Sequence, residues 1–213
     1  MIVDKKARAE QKAQSPVCVW LTGLPASGKS TIASALEFRL YTAGRHAYLL
    51  DGDLVRLGLS KDLGFSEADR AENVRRVAEV ARLLVDAGLV AIVALISPNR
   101  SQRGHARSLF TSSEFLEVFV DAPLEECVRR DPKGLYAKAR RGELKNFTGI
   151  DSPYEPPLSP EVHLATADES VDRCVNRIIL ALKAQTGEPR SVHANDKSGK
   201  RPSQIESRYT LSS

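Results

Sequence analysis

The chain is 213 residues long, 42% hydrophobic and 27% charged, which predicts one domain with room for a substantial core. No stretch has the roughly 18 consecutive apolar residues that a membrane-spanning helix requires. The formal net charge of +4 resides in the ends: residues 1–16 carry +2 and residues 183–213 carry +3, leaving −1 for residues 17–182, a balance that argues against nucleic-acid binding.

Residues 1–16 are charged and polar, without the apolar segment of a secretion signal, and read as a mobile arm or short helix on a soluble, cytoplasmic protein. Val17-Cys18-Val19-Trp20-Leu21 is an apolar run of strand length. Gly23-Leu24-Pro25-Ala26-Ser27-Gly28-Lys29-Ser30-Thr31 follows, matching G-x-x-x-x-G-K-[ST]. Ile32, Ala33, Ala35, Leu36 and Leu40 then recur at helical spacing to about Ala43, with Gly44 as the C-cap. Ala47-Tyr48-Leu49-Leu50 is a second strand, ending in Asp51-Gly52-Asp53, and Leu54 to Phe65 reads as irregular.

Ser66-Glu67-Ala68-Asp69 has the pattern of a capping box. The helix after it carries Val74, Val77, Ala78, Ala81, Leu84 and Val85 on one face and stops at Gly88. Leu89 to Ile96 is apolar on both faces, as a central parallel strand is, and Ser97-Pro98 ends it. A helix over about Arg100–Phe110, a strand over Phe115–Val120 and a helix opened by Pro123 come next. Residues 131–160, with five prolines and three glycines, are too long for a plain connection and are expected to form a lid. Val162–Thr166 is the last strand, and Val171, Val175, Ile178, Ile179 and Leu182 mark the last helix. Residues 183–213 read as a polar, disordered tail. The three cysteines are too few and scattered for a disulfide framework or a zinc site.

Alternating strands and helices predict an α/β fold: a five-stranded parallel sheet with helices on both faces. The glycine loop between strand and helix aims backbone N–H groups at phosphate oxygens, so residues 23–31 are expected to bind ATP. Lys29 reaches the β- and γ-phosphates, and the Ser30 hydroxyl coordinates Mg²⁺. The acceptor side is rich in arginine, with Arg56, Arg70, Arg75, Arg76 and Arg100. Planar guanidinium forks suit a two-pronged anion, although Arg75 and Arg76 also fit the pattern of ordinary surface ion pairs.

Several further blocks, within residues 17–182, give the chain a specific likeness. They are Leu50-Asp51-Gly52-Asp53, Asp62 to Arg70, Glu72-Asn73-Val74-Arg75-Arg76, Ile96-Ser97-Pro98, Arg130 to Tyr136 and Lys145 to Glu155. With the glycine loop they resemble the adenylylsulfate (APS) kinase family of P-loop kinases. The resemblance implies transfer of the ATP γ-phosphate to the 3′-hydroxyl of adenylyl sulfate, a homodimer, and a functional link to sulfate adenylyltransferase. It implies that Phe65 and Phe147 sandwich the substrate adenine, and that Arg56, Arg70 and Asn73 hold the phosphosulfate and ribose. Asp53 would lie at the acceptor hydroxyl and Asp51 would hold Mg²⁺ through water. Ile96 and Ser97 would line the substrate pocket, and Lys133 would close over the nucleotides. Ser97 matches a serine known in the family as a phosphoserine; in-line transfer requires no such intermediate, and we read it as a pocket contact. The sequence departs from the family pattern at Asn99, usually aromatic, and at Leu54, usually Asn. Alternatives are a P-loop kinase for another small acceptor and a non-catalytic nucleotide-binding partner of sulfate adenylyltransferase.

Overall fold

The computed structural model describes residues 2–187. Its centre is a five-stranded, all-parallel sheet in the order β2-β3-β1-β4-β5, formed by β1 (Val17–Thr22), β2 (Ala47–Asp51), β3 (Val90–Ala94), β4 (Phe115–Asp121) and β5 (Val162–Ala165). Strand β1 is buried along its whole length because helices cover both of its faces. Its alternate side chains supply two cores. Val17, Val19 and Leu21 meet Ile32, Leu36, Val118 and Ile178 on the side of α2 (Lys29–Thr42) and α8 (Val171–Thr186). Cys18 and Trp20 meet Val74, Val77, Ala81 and Phe115 on the side of α4 (Glu67–Asp86) and α5 (Arg100–Ser108).

The Ser66 hydroxyl caps α4, accepting from the Asp69 N–H at 3.1 Å, as the sequence signal implied. Leu21, Ala94 and Asp51 pair across neighbouring strands, so the glycine loop, Ile96-Ser97 and Asp51 leave the same sheet edge. That edge lies at the carboxyl ends of the strands, where the strand order reverses around β1 and ligands of such sheets bind.

Three local expectations change. Residues 54–57, expected to be irregular, instead belong to α3 (Gly52–Leu57), whose N-cap Asp51 accepts from the Asp53 N–H at 3.0 Å. The Asp51 cap starts the helix directly at Gly52, where the strand ends. Strand β3 ends at Ala94, two residues short of Ile96, and α8 runs three residues beyond Lys183 to Thr186. The rest of the tail expectation lies outside the described residues. The N-terminal residues form α1 (Lys5–Gln11), and the Gln14 amide donates to Gly88 O at 2.8 Å and His46 O at 3.0 Å, fastening this segment to the sheet's opposite edge.

Residues 131–160 are not featureless. After α6 (Leu124–Arg130), α7 (Leu135–Arg140) is started by Asp131, whose carboxylate accepts from the N–H groups of Tyr136 and Ala137. A third apolar cluster, Ala122, Cys127, Tyr136, Ala139 and Phe147, lies beneath this segment. Buried Tyr136 donates its hydroxyl hydrogen to Pro25 O at 3.0 Å, tying the segment to the glycine loop.

Candidate active site

The loop between β1 and α2 is held by close backbone packing. A Cβ on Gly23 would lie 2.3 Å from Val120 O, so only glycine fits there. Gly28 turns into α2 with φ +106°. Lys29 is 8% exposed and folds its ammonium onto the loop, donating to Gly23 O at 2.9 Å and Leu24 O at 2.7 Å. Burial pushes its pKa down from 10.5 to about 8, against the opposing pull of Cys127, Asp51 and Asp53.

A continuous polar chain leads away from the loop. The Ser30 hydroxyl donates to Asp51 Oδ2 at 2.6 Å, Asp51 Oδ1 caps the Asp53 N–H, and Asp53 pairs with Lys133 across the mouth of the site. Thus Lys29, Ser30, Asp51, Asp53 and Lys133, spread over more than a hundred positions, meet at one edge. The donor set fits Mg²⁺: two adjacent hard oxygens, Ser30 Oγ and Asp51 Oδ2, with room for phosphate and water oxygens. Among the described residues no group of three or more His, Cys, Asp or Glu could by itself hold a metal ion.

A second group gathers around Phe65. The Arg56 guanidinium lies 4.4 Å from the Phe65 ring centroid and donates to Gly64 O at 2.9 Å. Arg70 donates to Phe65 O at 3.0 Å and Thr148 Oγ1 at 2.9 Å, and also to Asn146 O. Arg70 therefore links the two aromatic segments. Partial burial lowers the pKa of both arginines, with the mutual repulsion adding to the shift at Arg70. The two rings have unlike surroundings: Phe65 is 58% exposed, while Phe147 is 9% exposed and packs edge-on against Tyr136 at 5.0 Å. Asn73, one turn after Arg70 on α4, is buried with an unpaired Oδ1, an acceptor that costs stability unless a ligand or water meets it.

Phe65→Ala removes only an exposed ring and is expected to leave Tm within a few degrees, because a surface change costs roughly 0.5 kcal/mol. Phe147→Ala is expected to destabilise by about 3 kcal/mol, since it also empties the cluster around Tyr136. Thermal melts distinguish the two. Equal Tm losses would contradict this division.

At the end of β3, Ser97 is 2% exposed and adopts φ +38°, a strained value for a residue with a side chain. Its hydroxyl accepts from the Trp20 indole N–H at 3.1 Å, and Ile96 O accepts from the Thr22 hydroxyl at 2.7 Å. The remaining arginines separate. Arg75 pairs with Glu72, and Arg76 with Glu72 and Asp62, so Glu72 is pushed down to about 2 and neither guanidinium is directed at the site. Arg100 is spent on Pro156 O. Leu54 is exposed on α3, and Asn99 is half-buried at the start of α5 without capping it through its side chain. Sequence reasoning assigned no role to Tyr136, Arg103 or Arg130; Arg130 donates to Ser27 O at 3.3 Å and Thr166 O at 2.6 Å. A helical arginine gives no sign in the sequence of whether it faces solvent or a carbonyl.

The match to known proteins runs through these same elements. The family model for adenylylsulphate kinase matches residues 15–165. The chain belongs to the adenylylsulphate kinase family. It is 58% identical to the adenylyl-sulfate kinase of Aeromonas hydrophila over 181 residues, covering 85% of this chain and 92% of that protein. It is 60% identical over 176 residues to the bifunctional enzyme NodQ of Rhizobium sp. strain N33, covering 83% of this chain but spanning only 27% of that protein. Among solved structures, the APS kinase CysC of Mycobacterium tuberculosis in complex with AMPPNP and APS superposes with a TM-score of 0.77 at 50% identity, covering 79% of this chain and 98% of that chain.

Proposed function

We infer that this chain is an ATP-dependent adenylyl-sulfate kinase, transferring the γ-phosphate of ATP to the 3′-hydroxyl of adenylyl sulfate. The observation that carries this reading is the juxtaposition, at one sheet edge, of the Lys29–Ser30 cradle with the Asp51–Asp53–Lys133 chain. The cluster of Phe65, Arg56 and Arg70 supports an acceptor with a flat base and an anionic tail.

The triphosphate lies on backbone N–H groups of the glycine loop, to which Pro25 contributes none, and Lys29 leaves the loop carbonyls for its β- and γ-oxygens. Ser30 and, through water, Asp51 would hold Mg²⁺, which when bound would supply positive charge to the phosphates. Phe65 and Phe147 hold the acceptor adenine, Arg56, Arg70 and Asn73 its phosphosulfate and ribose, and Ile96 and Ser97 the pocket wall. Asp53 takes the 3′-hydroxyl proton as the new oxygen–phosphorus bond forms and the β–γ bridge breaks. Lys133, paired with Asp53, moves to the phosphates, which frees that carboxylate for the proton. The segment 131–160 acts as a lid that excludes water.

No described helix is long and apolar enough to cross a membrane, in keeping with action in the cytoplasm on soluble nucleotides. Assembly as a homodimer is part of this reading, and so is a functional link to sulfate adenylyltransferase. Incubation with ATP and adenylyl sulfate is expected to yield ADP and 3′-phosphoadenylyl sulfate in equal amounts by mass spectrometry. ADP without the phosphorylated product would overturn the reading.

A further inference from the structure

Arg103, on α5, is 3% exposed, and every arm of its guanidinium is used. Nε donates to Glu117 Oε1 at 2.8 Å, one terminal nitrogen to Ser97 O at 2.7 Å, and the other to Glu155 O at 2.7 Å. Those acceptors belong to three separate parts of the chain: strand β4, the strained turn after β3, and the downstream end of the lid. Further bonds join the last two. The Glu155 N–H donates to Pro98 O at 2.9 Å, and the Glu155 carboxylate accepts from the Arg100 N–H at 2.7 Å. The Tyr154 hydroxyl lies 3.0 Å from Thr22 Oγ1, and its ring stacks on Phe119. Glu117 on β4 is nearly buried and is itself fixed by Arg107 at 3.3 Å, while its N–H donates to Glu161. A planar fork with fixed donor directions holds three acceptors in one geometry; a lysine in its place holds them only loosely.

We propose that Arg103 is a positioning residue for the acceptor: it sets the Ser97 turn and the foot of the lid in a single register. Through Ser97 it fixes the pocket wall, and through Glu155 it fixes the segment that carries Phe147 eight residues upstream. The glycine loop and Lys29 receive no bond from it. Its influence is therefore directed at adenylyl sulfate rather than at ATP. This rests on the reading of Ile96 and Ser97 as acceptor contacts.

Two variants of the full chain test it. Arg103→Lys keeps the buried charge but loses the fork. The double variant Arg103→Met/Glu117→Met removes both charges, so that neither is left buried alone and the fold survives. Both are expected to raise KM for adenylyl sulfate by about tenfold, the scale of a sub-ångström displacement in a site, while KM for ATP stays within about twofold. Hydrogen exchange at residues 146–156 is expected to quicken in both, without substrate present. Equal shifts in the two KM values, or no shift in either, with exchange as in the unaltered chain, would overturn the proposal. Failure of the functional reading is distinct, because the unaltered chain would then not turn over adenylyl sulfate at all.

Discussion

Asp53→Ala is expected to lower kcat by about 10²–10⁴-fold, the usual contribution of a positioned general base, while ATP binding stays intact. The structure gives the reason for this split. Asp53 stands on the first turn of α3, beyond Asp51, and makes no bond to residues 23–31. Its removal frees Lys133, which is then available to the phosphates without first breaking an ion pair, so nucleotide affinity is expected to hold or rise. Asp53→Asn keeps the shape and loses the proton acceptor, and should match the alanine variant in kcat. Pre-steady-state turnover together with equilibrium ATP titration checks both parts. Wild-type turnover in either variant would remove Asp53 from the chemistry.

Lys29→Met is expected to reduce kcat/KM for ATP by about 10²–10³-fold, as loss of one preorganised charge at a transferring group does. A second consequence concerns protons. In the empty chain Lys29 has a pKa of about 8, while in an unfolded chain it keeps the ordinary 10.5. Between those values the unfolded state binds more protons, so this residue's contribution makes folding more favourable as pH rises through that window. Below about 8 the charged form is present and carries the cost of burial. A bound triphosphate offers the counter-charge that burial lacks, raising the pKa again, so ATP binding near pH 8.5 is expected to take up a proton. Calorimetry in two buffers of different ionisation heat measures that uptake. The Lys29→Met variant should show none, and a wild-type chain with none would contradict the assignment.

Much of the architecture was legible because it rests on periodicity. The five apolar runs became the five strands, and the face of Val74, Val77, Ala78 and Ala81 became the buried stripe of α4. The glycine loop was legible because its spacing is itself a backbone requirement, visible at Gly23. Capping of α3 was harder to see, since an Asp-Gly-Asp run reads equally as a turn or as an N-cap. The helix inside residues 131–160 and the apolar cluster beneath it were hidden by prolines and basic residues, and only the fold shows Tyr136 reaching Pro25. Residues that bond to backbone carbonyl oxygens, as Arg103 does, leave no sequence signature, because that oxygen is present whatever side chain the partner carries. The resemblance singled out residues that periodicity could not: Phe65, Arg70 and the segment around Phe147 lie far apart in the chain yet are joined by one guanidinium.

The edge built by the glycine loop, Asp53 and the Phe65–Arg70 cluster is expected to phosphorylate adenylyl sulfate. The most direct measurement is ADP release in the presence of ATP and Mg²⁺ with a panel of acceptors: adenylyl sulfate, a nucleoside monophosphate, gluconate and shikimate. Adenylyl sulfate is predicted to give a kcat/KM at least about 10⁴-fold above the others, since a site with buried polar groups rejects acceptors that leave them unpaired. Turnover of another acceptor at the same efficiency, or none with adenylyl sulfate, would contradict it.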